Sequence, residues 1–89
     1  MLESTIEKHV TKYAKNLGWL SYKFSSPSNS GVMDRLYIKD GAVVFVEFKQ
    51  KGKKPRPLQQ YHINKFIEHG CVVYVVDSIS YGKEVFDQF

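Results

Sequence analysis

The dipeptide Asp40-Gly41 restricts this chain of 89 residues more than any other feature. It separates two strand-like runs, about residues 33–39 and 42–49. Asp-Gly in that setting signals a two-residue hairpin loop, because a type I′ turn needs positive φ at both central residues. Such a loop pairs residue 39 with residue 42, and the pairs beyond it follow. Ile38 faces Val43, Leu36 faces Phe45, and Asp34 faces Glu47. Side chains alternate across a strand, so these residues share one face. That face is apolar for two pairs and then ends in two carboxylates.

The flanking segments complete an α/β pattern. Leu2, Ile6, Val10, Tyr13 and Leu17 are spaced four, four, three and four apart, which predicts one helical stripe closed by Gly18. Leu20, Tyr22 and Phe24 alternate as in a strand, and 25–31 is a loop by composition. Pro57 suits the first turn of a second helix, with Ile63, Phe66 and Ile67 as its apolar face and Gly70 at its end. Residues 71–76 are continuously apolar, as in a strand covered on both faces. A short helix after Ser80 is expected to follow. The order is α-β-β-β-α-β, and the strand–helix–strand passage through 57–70 predicts a parallel crossover and a mixed sheet flanked by helices.

A chain of this length fits one domain, 1–89, with a thin core that a partner subunit could complete. No apolar run approaches the 18 or so residues of a membrane span, and the polar, acidic start does not read as a secretory signal. A single cysteine, Cys71, excludes an internal disulfide and reads as a small packing residue, so a reducing, cytoplasmic setting is expected. The net charge of +4 is concentrated. Lys49, Lys51, Lys53, Lys54 and Arg56 fall within eight residues that hold no acid, while the remainder of the chain has one more acidic than basic residue. Such a patch suits a polyanion, nucleic acid first among them, although a solvated loop has the same composition.

Opposed carboxylates are destabilising when their Cβ atoms lie roughly 4.5–5.5 Å apart. A hard divalent cation relieves that repulsion by taking carboxylate oxygens. Lys49 lies two residues beyond Glu47 and so shares its face. Two acids and a lysine at a sheet edge suit phosphodiester hydrolysis: a metal polarises the phosphate and lowers the pKa of water, while the lysine orients that water or stabilises developing charge.

The segments Gly31-Val32-Met33-Asp34-Arg35 and Val46-Glu47-Phe48-Lys49, with Pro57-Leu58-Gln59 after the basic glycine-containing loop, resemble the VRR-NUC (virus-type replication-repair nuclease) family of the PD-(D/E)xK superfamily. Glu3-Ser4-Thr5-Ile6-Glu7 is similar to that family's first helix, and the likeness runs from about Leu2 to Ser78. Met33 departs from it, standing where the family usually has proline. The resemblance implies a restriction-endonuclease-like fold that binds Mg²⁺, or Mn²⁺ as a substitute. It implies metal ligation by Asp34, Glu47 and the Phe48 backbone carbonyl, and catalytic roles for Lys49 and Gln59. A glutamate of the first helix, Glu7 or Glu3, would join them, with Glu7 favoured. Glu7 has a competing reading as the last residue of the capping box Ser4-Thr5-Ile6-Glu7.

Lys51, Lys53, Lys54 and Arg56 are then expected to grip the DNA backbone. The resemblance further implies a homodimer acting on branched or Holliday-junction DNA, encoded by a phage or prophage. A non-specific or nicking nuclease of the same fold and a catalytically silent DNA-binding module stay open as alternatives. His9, His62 and His69 read as surface residues, Ser26 and Ser28 as loop residues, and Tyr13 and Tyr61 as packing residues.

Overall fold

The computed structural model describes residues 1–89. Helix α1 (Glu3–Asn16) is followed by strands β1 (Leu20–Lys23), β2 (Arg35–Lys39) and β3 (Ala42–Phe48), helix α2 (Pro57–Glu68), strand β4 (Val72–Val76) and helix α3 (Ile79–Asp87). The strands form one mixed sheet in chain order, with β1–β2 and β2–β3 antiparallel and β3–β4 parallel. The expected order is present, and the short helix expected after Ser80 is α3, which starts at Ile79. The Ser78 hydroxyl caps α3 by accepting the Tyr81 N–H.

The hairpin is the one its turn residues require. Asp40 and Gly41 have φ of 49° and 83°, and the ladder runs from Lys39 opposite Ala42 to Arg35 opposite Val46. The main core lies on the face opposite to the one the sequence marks. Tyr37, Val44, Val46 and Phe48 are fully buried beneath Ile6, Val10 and Ala14 of α1 and Val85 and Phe86 of α3. The Tyr37 and Thr11 hydroxyls hydrogen-bond at 2.8 Å inside this layer, which satisfies two buried polar groups.

The other face is only partly covered. Phe66 of α2 meets Phe24 and Phe45 edge-on, with centroids 5.9 and 5.0 Å away. Leu20, Tyr22 and Val43 beside this cluster are 56, 57 and 42% exposed.

Several sequence expectations change accordingly. The α1 stripe is centred on Ile6, Val10 and Ala14; Leu2 and Leu17 at its ends are exposed. In α2, Ile63 is buried but Ile67 and Tyr61 face solvent. Strand β4 is an edge strand, and Val72 at its start is exposed. The capping box does not form. Leu2 occupies the N-cap of α1 with no side-chain bond, and Glu7 is engaged elsewhere.

At Gly82 the α3 backbone lies directly against the Val10 side chain of α1, where a Cβ would collide. The Tyr13 hydroxyl also donates to the Asp87 carboxylate, 2.6 Å away, joining the same two helices.

Candidate active site

Asp34 sits just before β2, and its position differs from simple opposition to Glu47. Its N–H donates to the Val46 carbonyl at 3.1 Å, one residue out of step with the ladder that ends at Arg35 and Val46. Its carbonyl accepts the Phe24 N–H at 2.9 Å. Its carboxylate accepts the Phe48 N–H at 2.8 Å. Backbone and side chain therefore pin Asp34 between β1 and β3, although it lies outside the strand.

Glu47 is 1% exposed, one residue before the end of β3. Its Oε2 accepts from Gln59 Nε2 at 3.0 Å and pairs with Lys49 Nζ at 3.3 Å. Its Oε1 is buried and has no partner. Gln59 reaches Glu47 because the first turn of α2 fixes its amide: Oε1 accepts the Arg56 N–H at 2.9 Å, leaving Nε2 to donate. Pro57, at the start of the helix, has no N–H that needs an acceptor.

Glu3, in the first turn of α1, completes the group. One carboxylate oxygen from each of Glu3, Asp34 and Glu47 lies within 4.8 Å of the others. Burial, followed by the Asp34 charge, pushes the Glu47 carboxyl up to about 7, against the opposing pull of Lys49. Burial also raises Asp34, although the Phe48 N–H partly offsets it. Three acids so placed repel one another in a poorly solvated setting, and one buried oxygen accepts nothing. The donor set is all oxygen, which matches what Mg²⁺ and Mn²⁺ prefer.

Glu7 is one helical turn from Glu3 but meets different groups. Its Oε2 accepts from Lys23 Nζ at 2.8 Å and Arg35 Nε at 2.7 Å. Burial acts to raise this carboxyl, but the two cations outweigh it and hold Glu7 below the ordinary value. The structure thus brings Glu3, Asp34, Glu47, Lys49 and Gln59 together and turns Glu7 towards β1 and β2.

Of the basic loop, Lys53, Lys54 and Arg56 line the same open groove as the acids; Lys51 is exposed beside it. Phe48 is fully buried next to Glu47, with its N–H given to Asp34. None of the three histidines joins the acidic cluster.

One residue of the site had no assigned role in the sequence. Gly31 has φ of 84°, and a Cβ there would lie 3.2 Å from the Gln59 backbone nitrogen and from Leu58 Cγ. The loop that delivers Asp34 passes under the first turn of α2, and only glycine fits both the conformation and the space. A glycine three residues before the acid was the available signal.

A partly parallel sheet of this order, with an acidic cluster, a lysine two residues on and a supporting glutamine, is similar to the arrangement of PD-(D/E)xK nucleases. No protein-family model matches the sequence. The fold, however, superposes on a solved VRR_NUC domain with a TM-score of 0.90 and 29% sequence identity, over 98% of this chain and 96% of that one. A protein of Acyrthosiphon pisum secondary endosymbiont phage 1, named "Putative nuclease p44", is 40% identical over 77 residues, covering 85% of this chain and 83% of its own. The chain belongs to the VRR-NUC family of the PD-(D/E)xK nucleases. No helix is long and apolar enough to cross a membrane.

Proposed function

We propose that the protein is a Mg²⁺- or Mn²⁺-dependent DNA endonuclease that cleaves branched substrates of the Holliday-junction type as a homodimer. The observation that carries the metal-dependent reading is the buried, unpartnered Oε1 of Glu47, in a carboxylate that clusters with those of Glu3 and Asp34, one oxygen of each lying within 4.8 Å of the others. An unsatisfied buried acceptor is costly, and a cation held by Asp34, Glu47 and Glu3 removes the cost. The Phe48 carbonyl is the candidate backbone ligand beside them. When bound, the ion supplies positive charge that polarises a phosphate and lowers the pKa of water.

The chain's own groups do the rest. Gln59, its Oε1 anchored by the Arg56 N–H, orients the Glu47 carboxylate through one hydrogen bond from Nε2. Lys49, half-buried beside Glu47, is placed to orient the attacking water and to stabilise charge developing on the phosphate. Lys53, Lys54 and Arg56 supply phosphate contacts along the same groove, with Lys51 at its margin. In this reading Glu7 orients Arg35 and Lys23 beside Asp34, and Glu3 is the acid from the first helix.

The homodimer is supported by the uncovered half of the sheet. Leu20, Ile38 and Val43 form one cross-strand row, and Tyr22 opens the next. Burying such side chains stabilises by about 1.5–3 kcal/mol each. A two-fold pair on a junction would present two sites to symmetric strands.

The deciding experiment incubates the protein with a four-way junction, a fork and a linear duplex, in Mg²⁺, Mn²⁺ or chelator, with Glu47→Ala as control. Junction cleavage in either metal, absent in chelator and in the variant, is the expected result. Equal cleavage of all three DNAs replaces junction preference with non-specific activity. Binding without cleavage in either metal overturns the enzymatic reading. Sedimentation of the wild type and of Tyr22→Glu tests the dimer: the wild type should sediment as a pair and the variant as a monomer.

A further inference from the structure

A second groove borders the acidic cluster. It is lined by Lys8, Lys12 and Lys15 of α1, Lys23 of β1 and Arg35 of β2, with Glu7 as its one acid. The two grooves adjoin where consecutive residues separate: Glu3 lines the acidic one and Ser4 the basic one, and likewise Asp34 and Arg35.

We propose that Lys8, Lys12 and Lys15, with Lys23, form a second phosphate-binding track, which grips nucleic acid on the side of the acidic cluster away from the 51–56 loop. The proposal rests on the reading of the protein as a DNA nuclease and adds a contact surface to it.

Three observations carry it. The first is charge without compensation. Glu7 is already shared by Lys23 and Arg35, and no carboxylate lies within 4 Å of Lys8, Lys12 or Lys15. The second is spacing. Positions i, i+4 and i+7 fall on one helical face and span about 10 Å at roughly 1.5 Å per residue. That length matches about three base-pair rises of a duplex strand, at roughly 3.4 Å each. The third is placement. Lys23 lies on β1, whereas the 51–56 loop leads from β3 into α2, which packs on β4. β1 and β4 are opposite edges of the sheet. A backbone laid from the loop across the acids therefore continues onto α1, with phosphates held on both sides of the scissile bond.

The test measures binding of a fluorescent duplex in chelator, so that cleavage plays no part, over a series of salt concentrations. Three proteins are compared with the wild type: Lys8→Ala/Lys12→Ala/Lys15→Ala, Lys53→Ala/Lys54→Ala/Arg56→Ala, and Lys65→Ala as a remote control. All three α1 lysines are exposed, so the fold is not at risk, and circular dichroism checks it. The slope of log affinity against log salt should become shallower by about 2.7 in the α1 variant, at roughly 0.9 per lost phosphate contact. The loop variant should lose a comparable amount and Lys65→Ala almost nothing. An unchanged slope in the α1 variant, with a reduced slope in the loop variant, overturns the second track and leaves the nuclease reading standing. A per-residue change in Lys65→Ala equal to that on α1 reduces the effect to net charge and also overturns the track. A wild type with no salt-dependent binding overturns both.

Discussion

Glu3 and Glu7 stand one helical turn apart on α1, yet their surroundings differ in kind. Glu7 meets two cations, its carboxyl is held low, and its contacts form a closed ion-paired set. Glu3 meets two more acids, one of them with a buried oxygen that nothing satisfies. The first arrangement is complete within the chain; in the proposed function the second is relieved by a cation from outside. The contrast sets a carboxylate satisfied by its own chain against one proposed to need a ligand, and it makes four sharp predictions.

The largest effect belongs to Glu47→Gln. Cleavage should fall by on the order of 10³ or more, because several kcal/mol of metal-supplied stabilisation is lost. The metal-free variant should melt at least as high as the wild type at pH 8, since a repelled buried charge has been removed. Cleavage assays and thermal melts read both, and a variant with near-normal turnover breaks the distinction.

Gln59→Ala comes next. It frees the Glu47 carboxylate from its orienting bond, and metal affinity should weaken roughly 10–100-fold. Mn²⁺ titration by calorimetry measures this; unchanged affinity makes Gln59 a helix-end residue only.

The third prediction concerns pH. Glu47 in the folded, metal-free protein titrates at about 7, against an ordinary 4.5. The folded state holds this proton more tightly than the unfolded chain, so the contribution to stability is complete below pH 4.5 and is lost as pH rises through about 7. The melting temperature of the metal-free protein should decline across that window, Glu47→Gln should remove the Glu47-dependent part of the decline, and Mg²⁺ should restore the wild type at the upper end. Mn²⁺ binding at pH 6 should release a proton, visible as a dependence of the calorimetric heat on buffer ionisation enthalpy.

The smallest effect on activity should come from Glu7→Gln. Stability should drop by roughly 1–3 kcal/mol through loss of two charged hydrogen bonds, with cleavage changed less than threefold. Chemical denaturation and steady-state rates check it. Loss of metal binding in this variant would erase the contrast between the two glutamates.

Much of this site is legible without coordinates because a tight turn transmits register. With Asp40 and Gly41 both at positive φ, the partners of every residue back to Arg35 follow. The same logic could not choose a core face. Val43, Val44, Phe45 and Val46 are apolar on both sides of β3, so alternation carries no preference, and the burial of Tyr37, Val44 and Phe48 depends on where α1 and α3 pack.

It could not choose between Glu3 and Glu7 either, because residues four apart share a helical face. Their separation of about 6 Å along the helix axis decides, and where α1 lies along the sheet is set by the packing of Ile6, Val10 and Ala14. The exposed lysines of α1 were equally present in the sequence. Dispersed at helical spacing, they produce no local run of charge, whereas the 49–56 segment does.

Gly82 has an effect well beyond its own helix. By admitting the backbone of α3 against Val10, it lets the last nine-residue helix act as a backstop for the first. The orientation of Glu3, at the extreme amino end, is thereby underwritten by residues near the carboxyl end. A bulky replacement at Gly82, or a fusion that pries the final helix loose, should act at a distance on the acidic cluster.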